Sequence, residues 1–140
     1  TGVHVVLTDD HTLLAFAAVV HRALRHGGRV FDTGYVEGVS VRADQQGRGL
    51  GAAVMGHAET LIRERHQFGA LNAVDSAADF YAHRGWQSWT GHTQALTPTG
   101  ALVDTYDDAD RIYVLTVSEP EELLDNDIPL ICDWRDGDLW

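Results

Sequence analysis

Val39-Ser40-Val41-Arg42-Ala43-Asp44-Gln45-Gln46-Gly47-Arg48-Gly49-Leu50-Gly51 is the stretch on which the reading of this chain turns. It passes from a β-branched run, through a polar loop with three alternating glycines, into a segment of helical period. A helix N-terminus there presents unpaired N–H groups and the positive end of the helix dipole, both suited to a phosphate oxygen. Glycines let the backbone approach a ligand that a Cβ would hold off. Two other phosphate motifs fail to fit. A P-loop needs Gly-Lys-Ser/Thr, which the sequence lacks, and a dinucleotide fingerprint stands near the start of a βαβ unit. Here three strands come first.

Those strands read outward from the loop. Val3 to Leu7, Thr12 to Leu24 and Val30 to Val41 are apolar or β-branched runs separated by Thr8-Asp9-Asp10-His11 and His26-Gly27-Gly28-Arg29. Turn chemistry on both sides predicts an antiparallel meander. Gly34 and Gly38 interrupt the third strand, where a glycine marks a bulge, a close backbone approach, or only a twist in the sheet. Downstream, Leu50, Ala53, Val54, His57, Ala58 and Leu61 recur at helical spacing, which predicts a helix of four to five turns ending before Gly69. A brief strand is expected over Ala70 to Val74. Ser76 is an N-cap candidate for a short helix, Ala77 to Arg84, that Gly85 ends. Further strands are expected over Gln87 to Leu96, Arg111 to Val117 and Pro129 to Trp134, with a loop or hairpin over Thr97 to Asp110.

The 140 residues make one domain, and 44% hydrophobic residues suffice for a core. Ten Lys+Arg against 21 Asp+Glu give a formal charge of −11, which argues against a phosphate-tracking nucleic-acid binder. Carboxylates in a cleft would instead concentrate amines, although an acidic surface also serves solubility alone. The single cysteine, Cys132, has no internal partner, and the eight histidines are scattered, so no metal is expected. Leu13 to Val20, the longest apolar stretch, falls far short of the roughly 20 residues of a membrane span. No signal peptide opens the chain, so a reducing, cytoplasmic setting is the expectation.

Two segments carry a resemblance. Gln46-Gly47-Arg48-Gly49-Leu50-Gly51 is similar to the pyrophosphate-binding loop of the GCN5-related N-acetyltransferase (GNAT) superfamily, and Phe80-Tyr81-Ala82-His83-Arg84-Gly85-Trp86 resembles a second segment of it. The order of elements around them agrees. Within that superfamily, Gly34-Tyr35-Val36-Glu37-Gly38-Val39, Leu96-Thr97-Pro98-Thr99-Gly100 and Cys132-Asp133-Trp134-Arg135-Asp136-Gly137-Asp138-Leu139-Trp140 resemble the aminoglycoside 2′-N-acetyltransferases. The likeness runs over essentially the whole chain. It implies an α/β (α+β) fold: a mixed, mostly antiparallel sheet flanked by helices, in one N-acetyltransferase domain over residues 1–140. That fold usually opens with a strand and one or two helices ahead of the meander, whereas this chain begins at the meander.

The resemblance implies transfer of an acetyl group from acetyl-coenzyme A to the 2′-amine of an aminoglycoside, with a homodimer as the assembly and neither nucleic acid nor membrane as partner. An ammonium cannot attack a thioester, so a base must take its proton, and the departing thiolate gains from an acid. Glu37 is the implied base, through water, and Tyr81 the implied acid. As plain structure, Glu37 is a strand-edge carboxylate and Tyr81 a core aromatic. The backbone of Val39 and Val41 would face the acetyl and pantetheine arm. Gln46, Gly47, Arg48, Gly49 and Gly51 would hold the pyrophosphate, and Asn72 would stand near the cofactor. Glu37, Gly38 through its backbone, Asp108, Asp138 and Trp140 through a terminal carboxylate match the family's substrate contacts. Asp108 could equally belong to a solvated turn, and Trp134 and Trp140 could be packing aromatics. Two other readings remain open: acetylation of another small amine or a peptide N-terminus, told apart by a panel with and without a 2′-amine, and a non-catalytic acyl-coenzyme A or cation-binding module, told apart by binding without turnover.

Overall fold

In a computed structural model that describes residues 2–105, 111–117 and 124–140, the meander is present: β1 (Gly2–Asp9), β2 (Thr12–His26) and β3 (Arg29–Val41) pair antiparallel in sequence. Both hairpins close over two residues with positive φ, Asp10 and His11 in the first and Gly27 and Gly28 in the second. Two consecutive positive φ values match the twist of paired strands, which is why aspartate and glycine stand there. β3 then runs through a tight turn at Ala43–Gln45 and the glycine loop into α1 (Leu50–Arg65).

Helix α1 buries Val54, Met55, Ala58 and Ile62 against the sheet, each worth about 1.5–3 kcal/mol for the larger side chains. The chain returns in β4 (Phe68–Asn72), parallel to β3. β4 starts two residues before the expected Ala70 and stops short of Val74. Its residues Phe68 to Leu71 are all buried: β3 and β8 (Ile112–Thr116) pair with its two edges, and neither face meets water. A strand buried on both faces carries no alternation to mark its ends.

A tight turn, Asp75–Ala77, precedes α2 (Ala78–His83). Ser76 therefore lies inside that turn and does not cap the helix; the capping position falls on Ala77, with no side-chain bond. Gly85, at φ +91°, ends α2 as expected, with the Trp86 N–H returning to the Tyr81 carbonyl. The strand expected over Gln87 to Leu96 is two strands at different places in the sheet. β5 (Gln87–Ser88) pairs with β8, and β6 (Thr93–Leu96) lies beside β9 (Leu130–Cys132). The chain breaks between them at Gly91, where a Cβ would sit 2.5 Å from the Asn126 carbonyl oxygen.

β6 and β7 (Leu102–Asp104) form a hairpin, and β8 (Ile112–Thr116) and β9 (Leu130–Cys132) complete the described strands. β9 is shorter than the expected Pro129 to Trp134. The sheet order is β5-β8-β4-β3-β2-β9-β6-β7, with β1 also on β2. Alternation along β3 divides the core: Val36 joins the cluster under α1 and α2, and Tyr35 joins the cluster on the other face with Leu24, Phe68, Leu130 and Trp140. None of the described helices is long and apolar enough to cross a membrane.

One irregularity in β3 opens the sheet. The β2–β3 register pairs Ala18 with Glu37 and Phe16 with Ser40, so Gly38 and Val39 together face Ala17. Gly38 adopts φ +64°, and a Cβ there would press Phe16 at 3.2 Å. Such a bulge bends its strand. Pairing of β3 with β4 also ends at Val36 and Leu71, so the two strands part beyond that point.

Candidate active site

Two clefts open where β3 and β4 separate. The first, of 390 Å³, is walled by Val39 and Gly51 on one side and by Ala73, Ala77, Phe80 and Tyr81 on the other. The second, of 480 Å³, lies toward the C-terminal segment and takes in Tyr35, Arg135, Asp136, Asp138 and Trp140. They share Val36, Glu37, Gly38 and Asn72. Glu37 thus stands at the passage between an apolar-walled cleft and an acidic one.

Of the glycine loop, Gly51 lines the first cleft, and Gln46, Gly47, Arg48 and Gly49 line neither cleft. Gly47 and Gly49 have φ +83° and +78°, a conformation L side chains rarely adopt, and Gly49 sits at the N-terminus of α1 with no side-chain cap. The first-turn N–H groups of α1 therefore have no intrahelical acceptor, which is what an anion can use. Gly51 differs from its neighbours. A Cβ there would meet Val41 and Phe80 only at 3.7–3.8 Å, an ordinary contact, so the fold does not require glycine at that position. The Gln46 amide reaches the Val41 carbonyl at 3.4 Å, and the Arg48 guanidinium rests on the Gln45 side chain, both within the loop. The donors, the missing Cβ and the cleft beyond them fit a pyrophosphate followed by an extended arm.

Tyr81 projects from α2 into the same cleft and is 6% exposed. Burial raises its pKa above the ordinary 10.0, and the Glu59 carboxylate pushes the same way, so the hydroxyl keeps its proton at neutral pH. Its ring is held by Phe80, Trp86 and Tyr113, with centroids 5.1, 6.4 and 5.7 Å away. Glu59 on α1, 5% exposed, accepts two bonds from the Arg84 fork at 2.9 and 2.8 Å and one from the Trp86 indole at 2.9 Å. That network fastens the turn after α2 to α1. The Cys132 thiol is buried and its pKa pushed up to about 11, chiefly by desolvation, so it stays protonated and is no nucleophile at neutral pH.

The predicted residues do not all gather. Val39, Gly51, Asn72 and Tyr81 line the first cleft, and Gly38, Asp138 and Trp140 line the second with Glu37. Val41 lines a separate small depression with Leu13 and Ser40. Asn72 belongs to both clefts and uses its side-chain oxygen to accept the Arg111 N–H at 3.1 Å, fixing the end of β4. Trp140 is mainly a core residue: its indole donates to the Thr105 hydroxyl at 2.7 Å, which donates to Thr93. Trp134 is half exposed. Asp108 lies outside the described residues.

Sequence reading missed Arg135, Tyr35, Arg22 and Asp136 in the second cleft and its wall. The Arg135 guanidinium pairs with the Glu37 carboxylate. Its signal in the sequence was one cation set among Asp133, Asp136 and Asp138.

The family described as "Acetyltransferase (GNAT) domain" matches residues 2–88. An aminoglycoside 2′-N-acetyltransferase of Mycolicibacterium fortuitum is 42% identical over an alignment that takes in 99% of this chain and 71% of that protein. A GNAT family N-acetyltransferase of Escherichia coli, solved in complex with CoA, superposes with a TM-score of 0.63 at 12% identity, covering 95% of this chain and 67% of that one. A GNAT family acetyltransferase of Brucella melitensis, solved in complex with acetyl-CoA, has a TM-score of 0.57 at 16% identity, covering 89% and 63%. At those identities the two structures show the fold.

Proposed function

The chain belongs to the GNAT acetyltransferases, and from that premise we propose that it acetylates the 2′-amine of aminoglycosides using acetyl-coenzyme A. The observation that carries the proposal is the meeting of the two clefts at Glu37 and Gly38. Bound acetyl-coenzyme A supplies the acetyl thioester. The N-terminus of α1 and the loop at Gly47 to Gly51 hold its pyrophosphate, and the free edge of β3 beyond Val36 lies along its arm. The acidic cleft receives a polycation: Glu37, Asp136 and Asp138 give it three carboxylates against one guanidinium.

In this reading Glu37 takes the proton that the acceptor ammonium must shed, through a water, from its place between the clefts. Tyr81, kept protonated by burial, delivers a proton to the departing sulfur. The reading carries a cytoplasmic setting and a homodimer with it. The test is mass spectrometry after incubation with acetyl-coenzyme A. Kanamycin B, which has a 2′-amine, should gain one acetyl group, and kanamycin A, which has a hydroxyl there, should not. Equal acetylation of both would refute the 2′ assignment.

Gly51 offers a test of the cofactor side alone. A Cβ at this position meets only ordinary contacts, so Gly51→Val should fold, and its melting temperature reports what the γ branches cost against Val41 and Phe80. The added branches stand at the pyrophosphate donors, so KM for acetyl-coenzyme A should rise about tenfold, the loss of one charge-assisted bond. Calorimetry on the coenzyme checks it, and unchanged affinity would remove the loop from the site.

A further inference from the structure

Arg135 is held from three directions. Its Nη1 pairs with the Glu37 carboxylate, its Nε donates to the Asp138 carbonyl at 2.6 Å, and its guanidinium packs over the Tyr35 ring at 5.3 Å from the centroid. The Tyr35 ring also carries Arg22, 4.8 Å away and 2% exposed. Arg22 in turn donates to the Asp133 carboxylate and carbonyl at 2.8 and 2.9 Å and to the Leu139 carbonyl at 2.6 Å. The two arginines work reciprocally: one reaches from β2 to the C-terminal segment, the other from that segment back to β3.

We propose that Arg135 is the positioning residue of the acceptor cleft, holding the Glu37 carboxylate at the passage while bracing the loop that carries Asp136 and Asp138. This rests on the acetyl-transfer reading, because Glu37 matters as a base only there. A glutamate at a bend in β3 has free torsions, and a base must present one oxygen to the acceptor within hydrogen-bond reach. Arg135 engages Oε1 and so sets where Oε2 points. A planar fork fixed by a ring and a carbonyl orients a carboxylate in a way that a mobile ammonium does not.

The test compares wild type, Arg135→Gln and Arg135→Lys by steady-state kinetics, coenzyme A calorimetry and thermal melting. Arg135→Gln should lower kcat about tenfold or more, since misplacing a base costs that much, while coenzyme A affinity stays unchanged. Arg135→Lys should recover only part of kcat, because it restores charge without the fork. An unchanged kcat with a lower amine KM would overturn the proposal, since the guanidinium would then be a competitor for the acceptor's ammonium. Parallel loss of coenzyme affinity and melting temperature in both variants would overturn it too, as a structural role. Wild type that acetylates spermidine but no 2′-amino sugar would sink the aminoglycoside reading, and the same comparison run on spermidine would still decide the role of Arg135.

Discussion

Replacing Tyr81 by phenylalanine should lower kcat by about 10²-fold, the scale on which a positioned general acid contributes. The substitution removes one oxygen and little else. The ring remains between Phe80, Trp86 and Tyr113, so the wall of the first cleft keeps its shape and the melting temperature should move little. KM for either substrate should hold, because in the proposed role the hydroxyl acts on the departing sulfur rather than on binding. The hydroxyl's raised pKa adds a pH expectation. A group whose pKa lies above 10.0 stays a competent acid through neutral and mildly alkaline pH, so loss of activity below that value belongs to another group. A phenylalanine variant at wild-type kcat would return Tyr81 to the core.

Glu59→Ala should be the most damaging change to the fold away from the clefts. It leaves the Arg84 fork and the Trp86 indole without their common acceptor in a nearly dry place. Breaking a buried ion pair from one side costs about 3 kcal/mol or more, and the part-exposed Arg84 puts this case at the lower end. Glu59→Gln keeps one acceptor oxygen and should lose less. Denaturant titration of the three proteins gives the order directly. Because the network secures the turn that follows α2, coenzyme affinity should fall with stability in the alanine variant. An alanine variant as stable as wild type would mean that water replaces the carboxylate without cost.

What the sequence revealed depended on how far apart the partners are. The two hairpins and α1 were legible because their causes are local: turn residues of positive φ between apolar runs, and an apolar stripe at helical spacing. The nearness of Val39, Gly51, Asn72 and Tyr81 was legible for the same reason, since the walls of the first cleft come from residues 36 to 81. Gly91 was silent because the atom that forbids a side chain there belongs to Asn126. Ser76 looked like a cap because its residue type suits one, yet the tight turn before α2 used it otherwise. The ends of β4 were blurred by burial on both faces. Arg135 and Arg22 went unseen since their partners lie 98 and 111 residues away, and no periodicity reports a pairing of that length.

The splayed strands give the protein an order of assembly. The first cleft is walled by β3, α1, β4 and α2, consecutive pieces of chain, with Arg111 and Tyr113 bracing Asn72 and Tyr81 from behind. The second cleft needs the last residues laid against β2 and β3 by two arginines, and such distant contacts form late because the intervening loop must first be closed. A chain emerging from the ribosome would have the walls of its first cleft well before those of its second. The same asymmetry should persist in the finished molecule. Local opening would begin at residues 133–140, so amide hydrogens there should exchange faster than those of β3 and β4, and the second cleft would open while the first keeps its shape.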